Sequence, residues 1–296
     1  MAIRKHWIRF VFQISRLYLQ KKNDQTILTT LSYNKISLIR DKKFTDHMNT
    51  YSGEMIGKIT FPKNGRAIDL TCGSGYVTGL ITERFTGEII GVDLSTEMLK
   101  IAQEKLGEKC RFVCCDALGF LKSQPSESAD IITCAWGLGY LKPSLVFKEV
   151  LRVLKPGGQV AIIDDSLFSL YEVVFSGFST LAEYPASLNN VMNARWLSSK
   201  RSLIRKMRRC GLHIISSWKG KDIYFAKDEK DAIDFLLKTG STSGFRFCID
   251  PCYAEIIKQR FGEIFKKSYA TKEGLPITHR FIAAIAKKPK ESVHYV

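Results

Sequence analysis

The residues with the clearest chemical potential lie in a glycine-rich turn and in acids that follow later apolar runs. The segment AIDLTCGSGYVTGL places Gly73 and Gly75 directly after an apolar run that contains Asp69. Asp93 ends the next apolar run, and Asp116 follows the one after it. Glycines let a backbone turn sharply and approach a ligand closely, and a carboxylate at a strand end accepts hydrogen bonds from ribose hydroxyls. This spacing predicts a nucleoside-binding site.

Apolar runs that alternate with amphipathic segments predict the elements that must hold these residues. Predicted strands cover Arg66 to Thr71, Glu88 to Asp93, Cys110 to Cys115, Ala129 to Cys134 and Gln159 to Asp164. Predicted helices cover Tyr76 to Phe85, Ser95 to Leu106 and Pro143 to Leu154. This alternation is typical of an α/β fold with a doubly wound, mainly parallel sheet. The carboxyl ends of parallel strands share one edge of the sheet, so the turn and the acids are expected there together.

The glycine-rich turn does not complete the dinucleotide-binding fingerprint. The pattern G-x-G-x-x-G needs a third glycine for close packing of the helix on the strand, and Thr78 stands at that position. We therefore expect no binding of a nicotinamide cofactor.

Five motifs in order resemble those of class I S-adenosylmethionine-dependent methyltransferases. IDLTCGSG resembles the first motif, with Thr71 where that family most often has a glycine. The resemblance continues through GVDLSTEML, CDAL, ADIITCAWGLGYL and LRVLKPGGQVAIID, and it covers residues 45–165. It implies a Rossmann-like sheet of seven strands with helical lid insertions, S-adenosylmethionine as cofactor, and methyl transfer as the reaction.

The resemblance also implies which residues bind the cofactor. Asp69 would hold the glycine-rich turn near the methionine amino group, and Asp93 would accept hydrogen bonds from the ribose. Further contacts would come from Thr71, Cys72, Gly73 and Gly75 at the methionine end, from Leu94 and Met98 beside the adenine, and from Asp116 and Ala117 at its edge.

Two segments outside this set are implied to complete the pocket. Ala135 and Trp136 would line the cofactor and open toward the acceptor, and Tyr51 in FTDHMNTYSGEM would belong to a segment that folds over the cofactor. Core packing is the alternative role for Tyr51, Met98 and Trp136.

The catalytic residues are the least defined part of the sequence. Methyl transfer is an in-line displacement, so the protein's largest contribution is to align the reacting atoms in a dry pocket. A general base is needed only for a weakly acidic acceptor. Tyr140, which follows the predicted fourth strand, is expected to orient the acceptor, and Asp165 and His213 are weaker candidates.

The chain after the predicted fifth strand is expected to choose the acceptor. Residues 166–199 are rich in aromatic and aliphatic side chains, which suits an apolar lid. The insert before a last strand, predicted at Arg280 to Ala286, contains LLKTGSTSGF and is similar to methyltransferases of ubiquinone and menaquinone biosynthesis and to malonyl-acyl-carrier-protein O-methyltransferases. It implies a small, lipid-like or carrier-bound acceptor. We expect a basic segment at 1–43, a cofactor-binding core at 44–165 and acceptor-recognition insertions at 166–296.

The net charge of +16 is concentrated in two places. Residues 1–22 contain no acid and interleave basic with large apolar side chains. This segment is too short and too charged to span a bilayer, and it suits a helix that caps the main domain, a helix on an anionic membrane surface, or a removable leader. A second basic run, Lys200 to Arg209, is either a solvated helix face or a contact for an acidic partner.

Two other functions remain as alternatives. Methylation of RNA is supported only by the charge, because CAWG replaces the Asn/Asp-Pro-Pro-aromatic tetrad of amino-methylating enzymes and no Pro-Cys follows the fourth strand. Nucleic acid is therefore a disfavoured partner. A protein that binds S-adenosylmethionine without transferring its methyl group is the other alternative.

The eight cysteines predict a reducing compartment and no metal site. They are scattered through apolar segments, and neither the pair Cys114 and Cys115 nor the pair Cys248 and Cys252 comes with histidines at metal-ligand spacing. We expect a cytoplasmic protein, with contact at a membrane surface left open. The oligomeric state is not predicted.

Overall fold

The structure is a computed structural model that describes residues 2–22, 42–191, 197–239 and 248–290. Its strands are β1 (Arg66–Leu70), β2 (Glu88–Asp93), β3 (Arg111–Cys114), β4 (Ala129–Ala135), β5 (Leu154–Asp165), β6 (His213–Ala226) and β7 (Leu275–Lys287). Part of the predicted basic segment, residues 23–41, and most of the LLKTGSTSGF motif lie outside the described residues.

The described helices surround these strands in chain order. They are α1 (Ala2–Leu19), α2 (Lys42–Gly57), α3 (Tyr76–Thr82), α4 (Thr96–Leu106), α5 (Ala117–Ser123), α6 (Pro143–Val153), α7 (Tyr171–Glu183), α8 (Lys200–Arg209), α9 (Glu229–Thr239) and α10 (Ala254–Tyr269). Ser95 caps α4 by accepting the Met98 N–H, and Gly107 closes that helix at a φ of 57°.

The seven strands form one sheet in the order β3-β2-β1-β4-β5-β7-β6. Strands β1 to β5 pair in parallel, and β7 pairs antiparallel with β5. The order reverses between β1 and β4, which is the switch point where doubly wound sheets bind ligands. The predicted fold class, a mainly parallel doubly wound sheet of seven strands, is confirmed.

Some predicted boundaries differ from those observed. Strand β5 begins at Leu154 instead of Gln159, because the pairing jumps from Ala129 with Leu154 to Ile131 with Gln159 and the KPGG segment bulges out of the ladder. Helix α3 ends at Thr82, before the predicted Phe85. Helix α5 was not predicted, and its seven residues are too few to show a clear period.

Contacts divide the chain into two units. The cofactor unit, as we name it, comprises residues 45–167, 195–220 and 280–296, and the insertion unit comprises residues 1–44, 168–194 and 221–279. Alternate strand residues of the cofactor unit point to opposite faces of the sheet. Ile68, Ile132 and Ile162 pack with α5, α6 and α8 on one face. Ala67 and Ile131 pack with α2 and α3 on the other.

The insertion unit is mostly helical. Its main core includes Phe265 of α10, Val173 of α7 and Ile277 of β7. Arg260 holds the end of α7 through two hydrogen bonds to Glu183, of 2.6 and 2.9 Å. Helix α1 joins this unit rather than the sheet, so the part of the basic segment that is described packs on an insertion. Within the described residues, no helix is both long and apolar enough to cross a membrane.

We expect Phe147→Ala to destabilise the protein strongly. Phe147 is fully buried in α6, and removal of its ring leaves a cavity that costs about 3–5 kcal/mol of unfolding free energy. The matched control is Leu145→Ala on the exposed side of the same helix, expected within about 0.5 kcal/mol of wild type. Urea unfolding measures both. Equal effects of the two substitutions would contradict the placement of α6 on the sheet.

Candidate functional site

Asp69 is a buried carboxylate that ties three elements together. It lies in β1 directly before the glycine-rich turn. Its Oδ2 accepts a hydrogen bond of 2.7 Å from Thr78 Oγ1 in α3, and its Oδ1 accepts one of 2.6 Å from Thr133 Oγ1 in β4. Burial raises the pKa of Asp69 to about 6, although both hydroxyls favour the charged form. The turn after β1 is thereby fixed relative to β4.

Thr78 explains why the turn lacks a third glycine. Its side chain is fully buried, and its hydroxyl is one of the two that satisfy Asp69. A glycine at this position would leave a buried carboxylate oxygen with one donor fewer, which is costly in an apolar interior. The residue that breaks the dinucleotide fingerprint therefore has a role of its own here, as a hydrogen-bond donor to Asp69.

Asp93 connects the same turn to β2. Its Oδ2 accepts a hydrogen bond of 2.8 Å from the Gly73 N–H, and its Oδ1 accepts one of 2.9 Å from the Ser95 N–H. Partial burial raises the pKa of Asp93, and the backbone hydrogen bonds counteract this shift. A Cβ added at Gly73 would meet no protein atom within 4 Å. The turn therefore presents its backbone at Gly73 to open space.

Gly75 allows close packing of helix α4, whereas Gly73 leaves the backbone of the turn facing open space. Its φ is 80°, a conformation that favours glycine. A Cβ at this position would also lie 3.0 Å from the Ala102 Cβ and 3.1 Å from a methyl carbon of Leu106, both in α4. The absence of a side chain at Gly75 is therefore explained by close helix packing.

Thr71 occupies a strained position that Gly137 makes room for. Thr71 has a φ of 54°, which is unusual for a β-branched residue. Its Oγ1 donates a hydrogen bond of 2.6 Å to the Leu70 carbonyl and lies 3.4 Å from Cys134 Sγ. A Cβ at Gly137 would lie 2.5 Å from the Thr71 Cβ. The side chain that departs from the family pattern is thus accommodated by a glycine in the loop after β4.

Trp136 anchors the loop after β4 to helix α2. Its φ is 60°, and its Nε1–H donates a hydrogen bond of 2.9 Å to Ser52 Oγ. The rings of Trp136 and Tyr51 both pack against Phe281 of β7, with centroids 5.8 and 4.3 Å away. Ser52 and Phe281 had no distinguishing signal in the sequence. This contact brings Tyr51 and Trp136 together against one core of the cofactor unit, which fits core packing as well as a covering segment.

Asp164 is a site residue that sequence reasoning missed. It is buried at the end of β5, and its Oδ2 accepts a hydrogen bond of 2.6 Å from the Gly139 N–H. Its Oδ1 accepts the N–H of Asp165, the weaker catalytic candidate beside it. Gly139 lies in the short turn that includes Tyr140, so Asp164 fixes the loop that carries the predicted catalytic residue. Asp164 ends the predicted fifth strand, and this position in the sequence would have marked it as a candidate.

The remaining predicted cofactor residues lie on the same edge of the sheet. Leu94 follows β2 and is half-buried, and Met98 is buried in the first turn of α4. Asp116 is exposed and caps α5 through the Gly119 N–H, with Ala117 buried behind it. Ala135 ends β4.

Cys72 and His213 have environments that restrict their chemistry. Burial raises the pKa of Cys72 well above its ordinary value and also raises the pKa of Cys134, so neither thiol is a ready nucleophile.

His213 is exposed at the start of β6, three strands from β4, and the structure does not bring it to the other candidates. Among the described residues, no group of three or more His, Cys, Asp and Glu has the arrangement of a metal site.

The central part of the chain matches a known protein family. The family described as "Methyltransferase domain" matches residues 68–162, from β1 to β5. The chain is 35% identical over 150 residues to the demethylmenaquinone methyltransferase of Lactococcus lactis subsp. lactis, a match that covers 48% of this chain and 58% of that protein. The chain therefore spans little more than half the length of this relative.

Two further comparisons extend beyond the central domain. A malonyl-[acyl-carrier protein] O-methyltransferase of a Marinomonas species is 26% identical over 226 residues, covering 75% of this chain and 79% of that protein. A crystal structure of a Bacillus halodurans C-125 protein superposes with a TM-score of 0.58 at 18% identity, covering 81% of this chain and 99% of that one. At this identity the structural match establishes the fold alone.

We expect Gly137→Ala to destabilise the protein and Thr71→Gly to rescue it. The φ of Gly137 is −139°, outside the left-handed region that favours glycine, so the clash with Thr71 is the main cause of the predicted loss. Overpacking of this kind costs about 1–3 kcal/mol. The double variant Thr71→Gly with Gly137→Ala should recover most of that free energy, as measured by urea unfolding in a double-mutant cycle. A coupling energy near zero would contradict the contact.

The carboxyl of Asp69 should make the free energy of unfolding depend on pH. Its pKa is raised from 3.8 to about 6 in the folded state, so the folded protein binds the proton more tightly than the unfolded chain does. The stability that this group contributes is present below about pH 4 and decreases as the pH rises through about 6. Urea unfolding of wild type and Asp69→Asn across this range measures the difference. A wild-type advantage that grows with pH would contradict the assignment.

Proposed function

We propose that the protein transfers a methyl group from S-adenosylmethionine to a small, lipid-like or carrier-bound acceptor, because residues 68–162 match the family described as "Methyltransferase domain". The observation that carries the proposal is the link from Asp93 to the Gly73 N–H. It joins the acid at the end of β2 to a backbone turn that faces open space, at the switch point of the sheet. This combination suits a nucleoside whose ribose and amino-acid ends bind to neighbouring loops.

The groups at this edge fit the proposed cofactor. A carboxylate has about four lone-pair sites, and the backbone N–H groups of Gly73 and Ser95 occupy part of that capacity on Asp93, so we propose the remainder for ribose hydroxyls. The turn from Thr71 to Gly75 would hold the methionine end. The roles of Leu94, Met98, Asp116 and Ala117 around the adenine remain proposals that rest on the resemblance.

When bound, S-adenosylmethionine would supply a methyl group on a sulfonium, from which the neutral thioether S-adenosylhomocysteine departs as a good leaving group. The protein's residues then have to align the acceptor and exclude water. We propose that Trp136 and Tyr51, held against Phe281, cover the reacting atoms. Tyr140 is proposed to orient the acceptor, since Asp164 fixes the turn in which it lies. A separate general base is needed only if the acceptor is a weak acid.

Acceptor recognition is assigned to residues 166–296. The two curated relatives are named for demethylmenaquinone and for a malonyl group on an acyl carrier protein, which supports a lipid-like or carrier-bound acceptor. Helix α8 offers four exposed guanidinium groups, at Arg201, Arg205, Arg208 and Arg209, and none of them pairs with a carboxylate in the described part of the chain. This surface favours an anionic acceptor or an acidic carrier.

The first experiment is calorimetry with S-adenosylmethionine, S-adenosylhomocysteine and NAD. We expect binding of the first two and none of NAD. Binding without turnover on quinone-like, lipid or carrier-bound acceptors would favour a non-catalytic role, and turnover on RNA would favour the alternative substrate. Binding of neither methionine derivative would refute the proposal.

The variant that tests the ribose assignment is Asp93→Ala. Loss of the carboxylate should weaken S-adenosylhomocysteine binding by about 1–3 kcal/mol, or roughly 5- to 150-fold. The matched control is Asp130→Ala, which removes a carboxylate that accepts the Arg66 N–H at the opposite edge of the sheet. That variant should lose stability but keep its affinity. Normal affinity of Asp93→Ala would show that the ribose lies elsewhere.

A further inference from the structure

Helix α1 is held in the insertion unit by one of its faces. Phe10 and Leu17 are buried against Ala182 and Leu188. Gln13 Nε2 donates a hydrogen bond of 2.8 Å to the Leu188 carbonyl. The chain after the helix is held as well, because the Val191 N–H donates to the Lys22 carbonyl at 3.0 Å. The orientation of α1 about its own axis is therefore fixed.

The opposite face of α1 is apolar and exposed. Ile8, Phe12 and Leu19 are 68%, 70% and 85% exposed, and Val11 is also exposed. At 100° per residue these positions fall within one side of the helix, opposite Phe10. The helix thus has two apolar faces, of which the fold buries one. Exposed Ser15 lies among these side chains, and an exposed apolar patch of this kind marks an interaction surface.

Cations border this exposed face. Lys5, Arg9 and Arg16 are exposed on one margin of the patch, and residues 2–22 contain no acid. In the described part of the chain, no carboxylate forms an ion pair with Lys5, Arg9 or Arg16. Apolar side chains in the middle and unpaired cations at the margin match the layers of an anionic bilayer surface, where acyl chains lie beneath charged headgroups.

We propose that the outward face of α1 is a docking surface for an anionic lipid bilayer. Ile8, Phe12 and Leu19 enter the boundary between headgroups and acyl chains, and Arg9 and Arg16 contact lipid phosphates. The helix lies in the plane of the membrane surface, because its other face stays packed on the insertion unit. This inference does not rest on the proposed methyl transfer.

Charge and side-chain type argue against other occupants. A second copy docked through the same face would bring two acid-free, cationic margins together, which like-charge repulsion disfavours. A nucleic acid would need cations at the centre of the face, whereas Ile8, Val11 and Leu19 there are aliphatic and Lys5, Arg9 and Arg16 lie at the margin. The lipid surface is the occupant that satisfies both the apolar centre and the cationic margin.

The test is sedimentation of the full chain with phosphatidylcholine vesicles that contain or lack phosphatidylglycerol. We expect binding to the anionic vesicles only, weakened by salt. The double variant Phe12→Ser with Leu19→Ser should bind the anionic vesicles at least about tenfold more weakly than wild type, because both side chains lose their burial in lipid. The double variant Arg9→Gln with Arg16→Gln should also bind about tenfold more weakly. The matched control is Ile256→Ser, an exposed apolar residue on α10 of the same unit, expected to bind as wild type.

Several outcomes would overturn the proposal. Equal binding of wild type and both α1 double variants would do so, as would the absence of wild-type binding to anionic vesicles. A wild-type dimer that the Phe12 and Leu19 substitutions dissociate, without vesicle binding, would assign the face to a second copy. Circular dichroism confirms that each variant is folded. S-adenosylhomocysteine affinity, measured in parallel, tests the proposed function separately, since the α1 variants should leave it unchanged.

Discussion

The buried carboxylate of Asp69 is the constraint on which the rest of the candidate site depends. It accepts hydrogen bonds from Thr78 in α3 and Thr133 in β4, so a helix and a neighbouring strand are fixed relative to the turn between β1 and α3. Burial raises its pKa to about 6, which means that the charged form at neutral pH relies on both hydroxyls. The position of the turn therefore follows from satisfying one charge in an apolar interior.

Carboxylates on neighbouring strands fix two further loops along the same edge of the sheet. Asp93 accepts the Gly73 N–H, and Asp164 accepts the Gly139 N–H, so each loop is held by a carboxylate on a neighbouring strand. Thr71 and Trp136 have positive φ angles in these loops, and such strain persists only where the surroundings over-determine the conformation. A site ordered before the ligand arrives has less conformational entropy to lose on binding.

Helix α1 shows how one element can serve two surfaces. Its buried face, with Phe10 and Leu17, adds to the core of the insertion unit, while its exposed face retains apolar side chains beside exposed cations. The sequence of this helix is consistent both with a cap and with a membrane-surface helix, because amphipathic periodicity cannot tell which of two apolar faces the fold covers. The buried face fits the cap, and the membrane surface is what we propose for the exposed face.

The sequence by itself determined the five parallel strands and the acids Asp69, Asp93 and Asp116 near their ends, because apolar periodicity and glycine-rich turns are local signals. The tertiary structure decided what the local signals cannot encode. Thr78 and Thr133 become donors to Asp69, and Gly137 makes room for Thr71, only when β1 and β4 pair. Trp136 donates a hydrogen bond to Ser52, which lies 84 residues earlier in the chain. Such contacts depend on which strands become neighbours, and strand order is a property of the whole fold.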